Sequence, residues 1–294
     1  MSRIPTTQAL RALDAFARLG TIWQAADELN LTKSAVSHQL RQLERDLGFP
    51  LTARAGTRLE LTPPGRVYAA DIRRALDILS SSAEQSAGRG VSGRLVVSVP
   101  PGFASNWLCT MIEGFAQSYP GIGLQIVTPR RLDDASSPDV DVFICFGREI
   151  GGNVEVELLK RIDYTPFCSP AYLYRFDRFR DPAALGEATL LHLVDHVEWA
   201  DWMRVAGLPA DHANRGIVFG DMTLVFAAAL AGQGIAMGDE FVCADALASG
   251  KLVRPFEREI NTERAYWLAI PRDRARSSAG DAFLNWLRTA MRNA

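Results

Sequence analysis

The chain has 294 residues, enough for two domains, and its 48% hydrophobic and 22% charged residues suit an ordinary globular protein. It contains no apolar run of about 18 residues, and Met1-Ser2-Arg3-Ile4-Pro5-Thr6-Thr7 lacks an apolar core, so neither a membrane span nor a secretory signal is predicted. The net charge of −2 argues against a nucleic-acid partner only until it is divided: residues 1–90 hold 12 Lys+Arg against 9 Asp+Glu, and the remainder holds 20 against 25.

Residues 7–19 read as a helix with Leu10, Leu13, Phe16 and Ala17 inward, and Gly20 ends it. Thr21 and Gln24 then have capping-box spacing, and Ile22, Ala26 and Leu29 form the inner stripe of a second helix. Small Ala25 and Ala26 allow a close crossing. After Asn30-Leu31-Thr32, the residues Val36, Leu40, Leu43 and Leu47 fall on one stripe of a third helix, with Thr32 as cap and Gly48 as stop. Its opposite face carries Lys33, Ser34, Ser37, His38, Arg41 and Arg45. Periodicity alone fits a plain surface helix equally well. The short join to the preceding helix favours a helix-turn-helix, whose second helix enters the major groove of double-stranded DNA. Thr32, Lys33, Ser34, Ser37, His38 and Arg41 are therefore candidate DNA contacts. In the stretch from Thr52 to Thr62, Leu59 and Leu61 alternate with polar neighbours and Gly56 marks a turn. This suits a small β-wing, with Arg54 and Arg58 flanking the turn to meet phosphates or the minor groove.

Leu10-Arg11-Ala12-Leu13, Ala25-Ala26, Leu29, Thr32, Ser34-Ala35-Val36-Ser37, Leu43-Glu44, Leu47-Gly48, Pro50-Leu51, Arg54 and Leu61-Thr62 together resemble the DNA-binding domain of the LysR-type transcriptional regulators. The resemblance continues to the C-terminus. Two positions depart from the family pattern. Thr52 stands where Phe is usual and is expected to loosen the wing. Trp23 stands where a small polar residue is usual, either as a backbone contact or as an exposed aromatic.

From Pro63-Pro64-Gly65 to about Ser86 a long helix is predicted, with Tyr68, Ile72, Ala75, Leu79 and Ser82 or Ala83 on one narrow stripe. Such a stripe packs either on a partner helix or on its own chain. The resemblance implies a dimerisation helix with Tyr68, Ile72 and Leu79 at the seam. Ala87-Gly88-Arg89-Gly90-Val91-Ser92-Gly93 reads as a hinge.

Beyond the hinge, strands are read at residues 94–99, 124–127 and 140–146, with a helix from Phe103 to Ser118, and the alternation continues. This is the pattern of an α/β sheet with buried parallel strands. Gly93-Arg94-Leu95, Phe103-Ala104, Trp107-Leu108, Phe115, Pro120, Asp139-Val140-Asp141, Cys168-Ser169-Pro170 and Leu191-His192 resemble the branch of the family that holds the glycine-cleavage activator and the β-lactamase regulator. The resemblance implies a two-lobed, periplasmic-binding-protein-like effector domain. Its cleft would be lined by Pro101, Gly102, Phe103, Thr128, Phe146, Arg148, Asp221, Met222, Thr223 and Tyr266. Helix N-termini and strand ends in such a cleft suit anions. Arg148 would favour a carboxylate, and Phe103, Phe146, Met222 and Tyr266 an apolar or aromatic part, which points to an amino acid or a small aromatic acid. The Thr223 hydroxyl either caps the helix that follows or binds ligand.

Other signals are weaker. The four cysteines, Cys109, Cys145, Cys168 and Cys243, have no Cys-x-x-Cys pair and read as buried thiols in a reducing cytoplasm. Gly232-Gln233-Gly234 follows an apolar helix and precedes a strand, the reverse of a dinucleotide fingerprint, so it reads as a tight turn. His192, His196 and His212 lack metal-like spacing, and His192 reads as a structural histidine at a strand end. No catalytic constellation is visible, so no enzyme, cofactor or metal is expected.

The fold class is thus α/β, an N-terminal winged helix-turn-helix with a long linker helix and then a two-lobed effector domain. The expected divisions are 1–62, 63–88 and 89–294, with lobe I at 94–163 and 267–294 and lobe II at 164–266. The expected function is a ligand-responsive transcriptional regulator. The resemblance implies operator DNA, a small-molecule effector, a homodimer or homotetramer and RNA polymerase as partners. The other readings are the same DNA-binding role under a protein partner, and a solute-binding or enzymatic domain with a DNA-binding appendage.

Overall fold

Three capped helices open the chain, and each cap is a side chain visible in the sequence. The structure is a computed structural model that describes residues 4–88, 90–194 and 196–292. Met1–Arg3 of the N-terminal reading, Arg89 of the hinge and the last two residues of the expected lobe I lie outside the described residues. Helix α1 spans Thr7–Leu19 and stops at Gly20, whose φ of 77° is left-handed. Helix α2 spans Ile22–Glu28; Thr21 accepts from the Gln24 amide at 3.2 Å, and its hydroxyl donates to Gln24 Oε1 at 2.7 Å. Helix α3 spans Lys33–Leu47, and the Thr32 hydroxyl accepts from the Ala35 amide at 3.1 Å. Leu13, Phe16, Ala25, Val36, Leu40 and Leu43 close a shared core. Fully burying each of the larger apolar side chains contributes about 1.5–3 kcal/mol.

Strands β1 (Thr52–Ala55) and β2 (Arg58–Leu61) form an antiparallel wing. Thr52 is tied into it by hydrogen bonds. Its amide and hydroxyl both donate to Glu44 Oε1, at 2.9 and 3.0 Å, and the Leu51 amide donates to the same oxygen at 2.9 Å. A polar anchor stands where an apolar one was expected.

Helix α4 spans Pro63–Ser86. Gly65 lets it begin tightly, because a Cβ there would lie 2.1 Å from the Leu51 carbonyl oxygen. Its apolar stripe is divided, and two of the three residues expected at a dimer seam pack within the chain. Ile72 is 8% exposed and packs in the core of α1–α3, and Tyr68 meets Phe49 edge-on, with ring centroids 6.0 Å apart. The first half of the stripe is used within the chain because α4 lies against α1, where Arg73 Nε also donates to Asp14 at 2.8 Å. Leu79, at 66% exposure, is the one of the three seam residues that stays open.

The remaining elements are β3 (Ser92–Ser98), α5 (Pro101–Phe103), a π turn (Ala104–Leu108), α6 (Cys109–Ser118), β4 (Gly121–Val127), β5 (Val142–Gly147), β6 (Val154–Cys168), α7 (Pro170–Arg175) and β7 (Leu190–Leu193). They continue with α8 (Val197–Ala206), β8 (Ile217–Phe219), α9 (Met222–Leu230), β9 (Ile235–Asp239), α10 (Glu240–Ala248), β10 (Ile260–Pro271) and α11 (Ser278–Arg292). The sheet order is β4-β3-β5-β10-β6-β9-β7-β8. Among the described residues, parallel pairing is confined to β3 with β4 and β5, and to β7 with β8 and β9. The sheet is therefore mixed rather than parallel. The chain crosses between its two halves along β6 and returns along β10, and these two strands pair antiparallel with each other. Tyr164 marks the crossing, since it faces Ile260 on β10 and Asp239 on β9.

Between α9 and β9, Gly232 has a φ of 71°, and a Cβ on Gly234 would come within 2.5 Å of the Thr189 carbonyl oxygen. This is a tight turn that only glycine fits. Cys145, Cys168 and Cys243 are buried, and burial pushes the first two thiols up to about 12. Cys109 is exposed on α6, which corrects the expectation for that residue. No helix among the described residues is long and apolar enough to cross a membrane.

Candidate nucleic-acid interface and ligand cleft

The N-terminal half of α3 is held from behind and open in front. Val36, Leu40 and Leu43 anchor it, while Thr32, Lys33, Ser34, His38 and Arg41 are exposed and Ser37 is half-buried. Among the described residues no hydrogen bond engages the side chains of Lys33, Ser34, Ser37 or His38. Arg41 Nε donates to the Ser37 carbonyl at 3.2 Å, which leaves its terminal nitrogens outward. Such donors on a capped helix can reach base edges and phosphates. On the wing, Arg54 pairs across the strands with Leu59 and Arg58 with Ala55, and both arginines are exposed. Trp23 on α2 is 58% exposed.

The second site is a cavity of about 390 Å³ between the two halves of the large sheet. Pro101, Gly102, Thr128, Phe146, Asp221, Met222 and Tyr266 border it. Three expected residues do not. Phe103 is fully buried beneath it, with its ring centroid 4.9 Å from those of both Trp107 and Tyr266. The helical turn begins at Pro101, so Phe103 points into the core. Arg148 is exposed, and its Nε donates to the Thr262 carbonyl at 3.2 Å, outside the cavity. Thr223 is not the cap of α9; Asp221 is, because its carboxylate accepts from the Thr223 amide at 2.6 Å. Gly102 meets Met222 directly, and a Cβ on it would stand 3.1 Å from the Met222 side chain. The start of α5 thus touches the start of α9 across the cleft.

Residues absent from the sequence reading also border the cavity, among them Arg130, Arg131, Asp133, Tyr164 and Asp239. Asp239 had a readable signal, since it ends the buried run Ile235–Asp239 just as Arg148 follows Val142–Gly147. Asp239 is 2% exposed, caps α10 through the Val242 amide at 2.9 Å, and accepts the Tyr266 hydroxyl. Burial pushes its carboxyl up to about 6, against the backbone and Tyr266 hydrogen bonds that pull it down. Burial likewise raises the Tyr164 and Tyr266 hydroxyls, with the Asp239 charge adding to both. Beside them Arg264 is paired with Glu198 and hydrogen-bonded to Tyr164. His192 is buried, its Nε2 2.6 Å from the Arg215 carbonyl oxygen, as a structural histidine would be. No group of His, Cys, Asp and Glu side chains among the described residues is arranged to hold a metal ion.

Comparison with known proteins places both regions. Residues 7–66 match the model for the bacterial regulatory helix-turn-helix protein, lysR family, and residues 88–292 match the LysR substrate binding domain. The chain is 34% identical over 285 residues to the glycine cleavage system transcriptional activator of Escherichia coli K12, covering 97% of this chain and 93% of that one. It is 32% identical to the effector domain of the transcriptional regulator AmpR of Pseudomonas aeruginosa, with a TM-score of 0.60 over 68% of this chain and 96% of that domain. The structure of ArgP from Mycobacterium tuberculosis covers 98% of both chains with a TM-score of 0.73; at 20% identity that likeness speaks for the fold.

Proposed function

We propose, because this chain belongs to the LysR family of bacterial transcriptional regulators, that it binds promoter DNA sequence-specifically and that a small molecule in the cleft controls that binding. The observation that carries the DNA-reading half is the front of α3, where Lys33, Ser34 and His38 are exposed on a rigidly anchored helix. Ser37 and Arg41 would join them in the major groove, and Arg54 and Arg58 of the wing would meet the backbone. The cavity bordered by Gly102, Phe146, Met222 and Tyr266 supports the effector half. The working divisions are a DNA-binding domain at 1–62, a linker helix at 63–88 and an effector domain at 89–294. Its lobe I would comprise 94–163 and 267–294, and its lobe II 164–266. A homodimer or tetramer in the cytoplasm, joined through the open part of α4 around Leu79, would place two winged units on a palindromic site. Effector binding would shift the lobes and so re-space those units.

Footprinting of the full-length protein on DNA flanking its own gene tests this reading. Two protected half-sites one or more helical turns apart are expected. Tyr266→Phe and Met222→Ala should keep the footprint and weaken the response to an effector. No protected site at any protein concentration would overturn the reading. Cleft variants that respond like the parent would move control to a protein partner.

A further inference from the structure

We infer that the molecule held in the cleft carries a protonated amine and that the Asp239 carboxylate is its counter-ion. The inference rests on the cleft being the effector site and names the chemistry of the guest.

The motivating observation is a buried charge without a partner of opposite sign. Asp239 is 2% exposed yet borders the cavity. The groups acting on its carboxylate are backbone amides and the Tyr266 hydroxyl. Among the described residues no Lys, Arg or His forms an ion pair with it. Hydrogen bonds satisfy its oxygens, but they do not neutralise it, and a buried charge in that state is costly. The N-terminus of α10 offsets part of the cost; burial still dominates.

A second acid faces the same space. Asp221 caps α9 and borders the cavity, with no ion pair among the described residues. Both acids stand at the start of helices in the half of the sheet built on β9, β7 and β8. The arginines that border the cavity, Arg130 and Arg131, lie on the segment after β4, and Arg131 is already paired with Asp133 at 3.0 Å. A simple anion set deep in the cleft would meet two carboxylates. An ammonium there would meet those carboxylates and the Phe146 and Tyr266 rings. Arg148, which in the sequence argued for an anionic ligand, is turned away to Thr262.

The groups facing Asp239 are Tyr164 on β6, Tyr266 on β10 and Cys243 on α10, with Asp221 across the cavity. Binding of an amine should therefore weaken as Asp239 takes up its proton below pH about 6, by roughly tenfold per pH unit.

Titration calorimetry on the full-length protein decides the matter with three probe sets: free amino acids, the corresponding decarboxylated amines, and the N-acetyl amino acids. Each is run at pH 7.5 and pH 5, on the parent and on Asp239→Asn. Asparagine keeps a capping oxygen for Val242 and the same shape, and a thermal scan checks that the variant is folded. Binding is expected among the amino acids or the amines and not among the N-acetyl compounds. It should drop about tenfold at pH 5 and at least tenfold in Asp239→Asn. If N-acetyl acids bind as well as free amino acids, the amine assignment fails; if Asp239→Asn binds amines like the parent, Asp239 is not the counter-ion and the inference fails; in both cases the cleft reading stands. If no probe of any set binds, the amine inference is overturned, and the response of Tyr266→Phe and Met222→Ala still judges the cleft reading.

Discussion

The Glu44 carboxylate ties the end of α3 to the start of the wing through three donors from Leu51 and Thr52. Glu44→Ala would leave the Leu51 amide, on a fully buried residue, and the Thr52 amide without an acceptor. Each unmet donor costs about 1–3 kcal/mol, so the N-terminal domain should melt several degrees lower by circular dichroism; an unchanged melting curve would show that water replaces the carboxylate. Asp239 makes the opposite case. Burial pushes its carboxyl from the ordinary 3.8 up to about 6 in the folded chain. A raised acid binds its proton more tightly when folded, so its contribution to stability is present below pH about 4 and is lost as the pH climbs to about 6. Ligand-free Asp239→Asn should therefore be more stable than the parent at pH 7, by on the order of 2–3 kcal/mol, with the gap closing near pH 4. Urea unfolding at the two pH values measures this, and a variant less stable than the parent at pH 7 contradicts it.

At the scale of elements, caps and stripes were legible because they are local. Thr21, Thr32, Gly20 and Gly48 act within one turn of their own position, and all four occupy the expected caps. The stripe on α4 was legible as a stripe, but its partner was not, since Ile72 and Leu79 look alike in sequence and differ only in what the fold brings against them. Two substitutions separate them. Ile72→Glu should bury an unpaired charge in the N-terminal core and unfold that domain. Leu79→Glu, on an exposed site, should leave the helical signal and melting unchanged while sedimentation shows a smaller species. A Leu79→Glu protein with the parent's sedimentation coefficient would place the association elsewhere.

At the scale of the molecule, the two-part plan was readable from the change of pattern at the hinge, and strand direction was not. Whether β6 runs parallel or antiparallel to its neighbours depends on residues about 100 positions away in β10, which no local period encodes. The same holds for the cleft. Pro101, Gly102 and Phe146 follow from strand ends and helix starts, and Tyr266 from the resemblance to the family branch. Tyr164 and Asp239 meet them only because β6 passes from one half of the sheet to the other. On DNA the whole chain should behave as a polyelectrolyte with a specific core. Arg54→Ala should weaken all sequences about equally and lower the salt slope by about 1.

The most direct measurement is quantitative mobility shift on the footprinted operator, comparing the parent with Lys33→Ala, Ser37→Ala and the pair combined with Arg54→Ala, at two salt concentrations. If α3 reads the bases, each groove-facing change costs roughly 1–3 kcal/mol of specific binding. The triple variant then falls to its own affinity for unrelated DNA while its helical content stays that of the parent. A triple variant that binds the operator as tightly as the parent would show that this helix does not read DNA.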